Sequence, residues 1–247
     1  MIDYNIKING LDVDAHYSEE NVKEIFYPLL ERLTELQREK NRRILVMLAA
    51  PPGAGKSTLV SFLEKLSNET DGLTKIQAIG MDGFHRMQDY LTSHTTIRDG
   101  KEIKMVEIKG APETFDLPLL KERIQMVAAG ENCGWPIYDR TLHNPVDNVI
   151  TISAPIVLLE GNYLLLDELG WDELASYADY TIRLTADENM LRERLISRKA
   201  ASGNTIEAAT AFVDYSDMVN VKTCLTKSKK ADLIIEVQAD DSLKVLV

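Results

Sequence analysis

The residues with the clearest chemical use lie in APPGAGKST, residues 50–58. A glycine-rich turn between a strand and a helix can fold its backbone N–H groups around phosphate oxygens, and the helix start adds positive partial charge. The apolar run at 44–50 and the helical spacing of Leu59, Val60, Phe62, Leu63 and Leu66 supply that context. Gly53, Ala54, Gly55, Lys56, Ser57 and Thr58 are therefore the expected nucleotide site, with Lys56 on the β- and γ-phosphates and Ser57 on Mg2+. Gly53 and Gly55 let the backbone come close where a side chain would collide. Ala50 stands where the usual pattern has its first glycine, which leaves the closure and strength of the loop open.

Two carboxylates follow at useful places. Ile156-Val-Leu-Leu-Glu160-Gly161 ends a buried strand pattern in an acid, where a phosphate-loop protein orients the Mg2+ shell. Gly80-Met-Asp82-Gly-Phe-His85-Arg86 follows a short strand pattern directly. Asp82 is thus expected at the ligand edge of the sheet, where it can accept a hydroxyl proton as that oxygen attacks phosphorus. An Asp-Gly pair is also a common turn, but a turn has no need of His85 and Arg86. His85, Arg86, Tyr138, Arg140 and His143 could bind a polyhydroxylated acceptor, and Phe84, Tyr90, Phe115 and Trp135 could wall it or simply pack the core. His85, His94 and His143 lack a tight metal-ligand spacing.

The ordered set APPGAGKST, MDGFHR, KGAPETFD, PIYDRTLHNP and IVLLEGNYLL resembles the P-loop kinase family that contains phosphoribulokinase, uridine kinase and bacterial pantothenate kinase. The opening hairpin pattern and the Asp-Gly-Phe-His wording are similar to its bacterial nucleoside/nucleotide kinase, or fructose-transport-system kinase, branch. The resemblance implies transfer of the γ-phosphate of ATP to a hydroxyl of a small metabolite, with ATP and Mg2+ as cofactors. It implies that Asp82 is the catalytic aspartate and that Tyr138, Arg140 and His143 belong to the acceptor site. It also supports a lid: Arg194 and Arg198, four apart and so on one helix face, would close over the transferring phosphate. Asp217 and Asn220 match a short family pattern without an assigned role.

The elements that must hold these groups read as follows. Asn9-Gly10 between alternating runs predicts a hairpin. Ser18 starts a helical run through Leu36, with Pro28 as a bend that leaves it one piece or two. These forty residues read as a packing or oligomer element without chemistry. Strands are expected at 44–50, 75–80, 102–109, 155–160, 180–184, 233–237 and 243–247, with helices at 117–129 and 187–201. Alternation of strand and helix implies an α/β three-layer, doubly wound and mostly parallel sheet. The expected division of residues 1–247, taken as a single P-loop domain, is a hairpin and helix at 1–43, phosphate loop and catalytic aspartate at 44–84, acceptor-binding insert at 85–148 and lid at 186–215.

Composition narrows the function classes. The 247 residues carry 39 acidic against 28 basic side chains, a net charge of −11, with 45% hydrophobic residues. That is a foldable soluble composition, and it speaks against sequence-independent nucleic-acid binding, which needs a Lys/Arg surplus. No apolar stretch has the length of a membrane span and the first residues lack the pattern of a signal peptide. Two widely separated cysteines, Cys133 and Cys224, suit a reducing cytoplasm. The expected partner is a small-molecule hydroxyl substrate, without nucleic acid or membrane; the oligomeric state is open, a homodimer included. Rival phosphate-loop classes fit less well. A guanine-reading Asn-Lys-x-Asp segment and a transporter signature are absent, and Asp167-Glu-Leu-Gly170 begins seven residues beyond Glu160. A nucleoside-monophosphate kinase and a non-catalytic ATP-binding regulator stay as alternatives; neither has a use for a proton-accepting Asp82.

Overall fold

The computed structural model describes residues 2–8, 11–98 and 100–246. Its centre is a sheet of six strands among the described residues. In chain order these are β3 (Ile44–Ala49), β4 (Ile76–Gly80), β9 (Ile156–Gly161), β10 (Tyr180–Ala186), β11 (Leu233–Val237) and β12 (Leu243–Val245). Their spatial order is β12-β11-β10-β3-β9-β4, parallel except for β12. Every residue of β3 and β9 is buried, which is why these strands are continuous apolar runs. Along β3, Ile44, Val46 and Leu48 enter one core cluster and Leu45, Met47 and Ala49 the other. The sheet is therefore covered on both faces, as the strand–helix alternation implies. Among the described residues no helix is long and apolar enough to cross a membrane.

Chain entry follows the expected hairpin, β1 (Ile2–Ile8) against β2 (Leu11–Tyr17), antiparallel with Ile8 opposite Leu11. The Asn9-Gly10 turn itself lies outside the described residues. Ser18 then caps α1 (Glu19–Asn21) by accepting from the Asn21 N–H at 2.9 Å. A π-turn, Val22–Phe26, leads without a break into α2 (Tyr27–Lys40), which carries Pro28 in its first turn. The wide turn falls directly before Pro28, which has no N–H and whose ring collides with a carbonyl four residues back. Tyr4, Tyr17, Phe26 and Phe62 pack together, Tyr17 stacked on Phe62 and the other pairs tilted or edge-on, and the Tyr4 hydroxyl meets Ser61 Oγ at 2.8 Å. Phe62 and Ser61 belong to α3 (Lys56–Glu69), so these contacts dock the hairpin on the helix that follows the phosphate loop.

The insert departs most from the sequence expectation. It contains α4 (Gln88–Ser93), then a small antiparallel pair, β5 (Thr95–Arg98) and β6 (Lys101–Lys104), then a 3-10 turn, Met105–Ile108. The single strand expected at 102–109 is thus half strand, half turn. Met105 and Ile108 are both buried; residues three apart share a face in a helical turn and lie on opposite faces of a strand. Helix α5 (Leu117–Ala128) forms as expected, capped by Asp116. The hairpin β7 (Gly134–Asp139) and β8 (Asn144–Thr151) was not legible, because β8 is largely exposed and carries no apolar alternation. Beyond β10 come α6 (Glu188–Ala201), α7 (Ile206–Phe212) and α8 (Met218–Thr226).

Strand β7 crosses the backbone beside Asp82. A Cβ built on Gly83 would sit 2.2 Å from the Pro136 carbonyl oxygen. The glycine of the Asp-Gly pair is there for close approach, and its neighbour sits in a 3-10 turn, Met81–Phe84. Gly83→Ala should therefore force β7 outward, lower stability by about 1–3 kcal/mol and move the Asp82 carboxylate. A thermal melt and an activity assay on the same preparation would check both effects.

Candidate active site

Parallel register brings three strand ends to one edge. Ala49 is level with Gly161, and Gly80 with Glu160. The segments leaving β3, β4 and β9 therefore meet, which is how residues 56, 82 and 160 become neighbours. The phosphate loop turns through Gly53 and Gly55, with φ of 85° and 81°. These left-handed values are open to glycine and strained for other residues. Gly55 is the N-cap of α3 and makes no side-chain cap bond, so the first N–H groups of the helix stay available for an anion. Ala50 is buried, is not among the positive-φ residues, and donates its N–H to the Gly161 carbonyl at 3.3 Å. A glycine has no conformational role at that position. Ala50→Gly should leave nucleotide affinity unchanged and cost about 0.5–1 kcal/mol of stability, which calorimetry and a melt would read.

Ser57 Oγ donates to Glu160 Oε1 at 2.7 Å. Lys56 Nζ stands 4.0 Å from Glu160 Oε2, too far for a hydrogen bond. That oxygen is buried and has no hydrogen-bond partner among the described residues. Burial pushes the Glu160 carboxyl above the usual carboxylate range; Lys56 and the Ser57 hydroxyl pull it back, while the charge of Asp82 adds to the rise. An unpartnered buried oxygen beside a serine hydroxyl is a hard-oxygen donor set, the kind Mg2+ takes. The residues present fit that ion.

Asp82 is half-buried, and its carboxylate makes no hydrogen bond or ion pair among the described residues. Besides a space of about 180 Å3 between α3 and β7, it borders two larger ones that share lining residues. One, of about 260 Å3, is the mouth of the phosphate loop, lined by Gly53 to Thr58 in part, with Arg194 and Arg198. The other, of about 660 Å3, is bounded by the insert on one side and by α6–α8 on the other. Lys56, Asp82, Arg140 and Arg198 line both.

The residues expected on the acceptor side separate into two groups. His85, Tyr138, Arg140 and His143 line the larger cavity together with Phe115. The His85 ring lies 4.0 Å from that of Phe115, and its Nδ1 is 2.8 Å from the Asp82 carbonyl oxygen. Loss of water lowers its pKa, against the pull of Asp82. Arg86 does not join them. Its guanidinium lies over Tyr90 at 4.6 Å and 3.8 Å from Asp116, beside a separate pocket. Phe84 and Trp135 pack against each other in the core, with the indole N–H on the Gly80 carbonyl at 2.8 Å. Tyr90 stacks on His94.

Some groups in the cavity were not singled out from the sequence. Lys109 donates to Tyr138 Oη at 2.7 Å, to Gln88 Oε1 at 2.6 Å and to the His143 carbonyl at 3.2 Å. It lies within KGAPETFD, one of the five motifs that carried the resemblance, which was the available signal. Asn162, two residues past Glu160, also borders the cavity and has a buried, unpartnered Oδ1. Asp217 and Asn220, noted in the sequence without a role, line it too, so the α6–α8 wall runs past the expected limit at 215. Of the basic helix, Arg192 pairs with Asp214 instead, at 2.6 Å.

A further space, of about 530 Å3, lies on the other side of the loop. Its walls are β2 with the adjoining Ser18, Gly55 to Leu59 in part, and the turn between β11 and β12, where Asp241 pairs with Arg194. The first forty residues, expected to carry no chemistry, therefore border a cavity beside the phosphate loop.

A model described as the phosphoribulokinase / uridine kinase family matches residues 45–244. The chain belongs to that family. It is a kinase, a phosphotransferase of the class with hydroxyl acceptors. It is similar to the "Uncharacterized protein YggC" of Escherichia coli K12, 44% identical over 94% of each chain. A pantothenate kinase of Shewanella loihica is 26% identical, over 84% of this chain and 72% of the relative. Among solved structures, a candidate fructose transport system kinase from Silicibacter sp. TM1040 superposes with a TM-score of 0.71 at 30% identity, covering 83% of this kinase and 98% of that chain. The fold is accordingly that of a P-loop kinase.

Proposed function

We propose that this kinase moves the γ-phosphate of MgATP to a hydroxyl of a small metabolite, with Asp82 as general base. The observation that carries the reading is the position of Asp82 beside Lys56 at the junction of the phosphate-loop mouth and the larger cavity, with its carboxylate unpartnered. Loop N–H groups and Lys56 hold the phosphates. Ser57 would hold Mg2+ and Glu160 would order its water shell, and the ion would neutralise charge on the phosphate oxygens. The acceptor oxygen forms its bond to the γ-phosphorus as the bond from phosphorus to the ADP oxygen breaks, and Asp82 takes the hydroxyl proton. Arg194 and Arg198 add positive charge at the transferring group, where it stabilises the transition state most. The space between β2, α3 and the β11–β12 turn suits the nucleoside half of the donor, because it adjoins Gly55 and Thr58 and is mostly apolar.

Segment 85–148 supplies one wall of the acceptor cavity, with His85, Tyr138, Arg140 and His143, and the lid side supplies the other. The testing experiment is ATP consumption by the purified kinase with Mg2+, run against sugars, polyols, nucleosides, nucleoside monophosphates and pantothenate. Acceptor-dependent turnover supports the reading and names the substrate class. Tight ATP binding without turnover on any acceptor would favour a non-catalytic nucleotide-binding protein.

A further inference from the structure

Charge in the larger cavity is one-sided. Lys56, Lys109, Arg140, Arg198 and Lys199 line it, against the carboxylates of Asp82 and Asp217. This concentration of cations occurs in a chain whose net charge is −11. The transferring phosphate accounts for part of it, since Lys56 and Arg198 also line the phosphate-loop mouth. Lys109 and Lys199 line the acceptor cavity and not that mouth, and Arg140 borders both. These cations have no acidic partner in an ion pair among the described residues. The three bonds of Lys109 go to neutral oxygens, and Lys199 lies over the Phe212 ring at 3.3 Å. Burial lowers the pKa of both amines, and only Asp217 opposes that at Lys199. A neutral polyol or nucleoside would leave the Lys109 amine partly desolvated and without a counter-charge, and Lys199 with Asp217 alone, which is costly.

We propose that the acceptor carries, besides its reacting hydroxyl, an anionic group (a carboxylate or a phosphate) seated on Lys109 with Arg140 and Lys199. The proposal rests on the phosphotransfer reading above. It narrows the substrate to hydroxy acids or phosphorylated sugars and polyols. The anion takes no part in the transfer; it sets which end of the acceptor lies near Lys109 and so which hydroxyl reaches Asp82.

Matched pairs test this: glycerol with glycerol 3-phosphate, fructose with fructose 6-phosphate, and glyceramide with glycerate. The phosphate and carboxylate members distinguish the two sources of charge. The expected result is turnover of an anionic member with a KM at least about 10-fold below that of its neutral partner, as a charge-assisted contact predicts. Lys109→Met should raise that KM roughly 10–100-fold and leave the KM for ATP within about twofold. Arg140→Gln, at an exposed side chain, gives a second reading should Lys109→Met fold poorly. Equal use of neutral and anionic members, with KM unmoved in both variants, would overturn the proposal. Calorimetry with a non-hydrolysable ATP analogue reads binding apart from turnover. An anion that binds without being phosphorylated, and is lost in Arg140→Gln, supports the anion seat while removing the phosphotransfer reading. Binding of no anionic member overturns the seat.

Discussion

Lys56→Ala should abolish acceptor-dependent ATP consumption, with kcat/KM falling by at least about 10²–10³-fold, the effect of deleting one preorganised charge or donor at a reacting centre. Lys56 opens α3, directly after Gly55, so its backbone is placed by the loop and its amine is free to meet phosphate. It is held 4.0 Å from Glu160 Oε2, near enough to be steered and too far to be tied down. The substitution also removes the cation that opposes the burial-driven rise of the Glu160 pKa. Glu160 should therefore take up a proton more readily and lose affinity for Mg2+, so titration with Mg2+ should show a weakened response. Circular dichroism should stay native, because the Ser57–Glu160 bond and the docking of α3 on the hairpin do not use Lys56. Activity in Lys56→Ala above a tenth of the parent would remove the phosphate-loop assignment.

Asp82→Asn should lower kcat by roughly 10²–10⁴-fold, the usual contribution of a positioned general base, while the KM for ATP changes little. The shape is kept and proton acceptance is lost. The Asp82 carboxylate has no hydrogen bond to lose among the described residues, so stability should be nearly unaffected. That separates a chemical effect from a structural one. The same substitution discriminates acceptors: a phosphate acceptor needs no base, and turnover of a nucleoside monophosphate would survive it. An unchanged kcat on a hydroxyl acceptor would strike Asp82 from the mechanism.

Much of this site was legible in the chain because its parts are local. A strand, a glycine turn and a helix in succession build the phosphate loop, and Glu160 and Asp82 could be placed from the strands that precede them. Parallel strands deliver their carboxyl ends to one edge whatever their spatial order. The Ala50 question had a local answer that the sequence could not supply. The position has an ordinary φ, and the left-handed turns fall on Gly53 and Gly55.

What depends on distant pairing was not legible. Arg86 follows His85 directly, yet only His85 reaches the larger cavity, because the chain leaves the 3-10 turn at 81–84 and pairs with Phe115 there, and Arg86 turns to Tyr90 and Asp116. Lys109 carries no mark in the sequence of its contact with Tyr138, since β7 and β8 bring residue 138 to it and β8 has no apolar periodicity to announce a strand. The hairpin at the start gave an element but no purpose; docking on Phe62 sets its second strand beside the loop. The fold class was readable along the chain, and so was the glycine turn between strand and helix, because backbone geometry and strand–helix alternation are encoded over short stretches. The cationic character of the larger cavity arises only in the tertiary structure. It is a sum over residues 56, 109, 140, 198 and 199, drawn from the loop, the insert and α6, and a charge sum of that kind exists only once those segments face the same space.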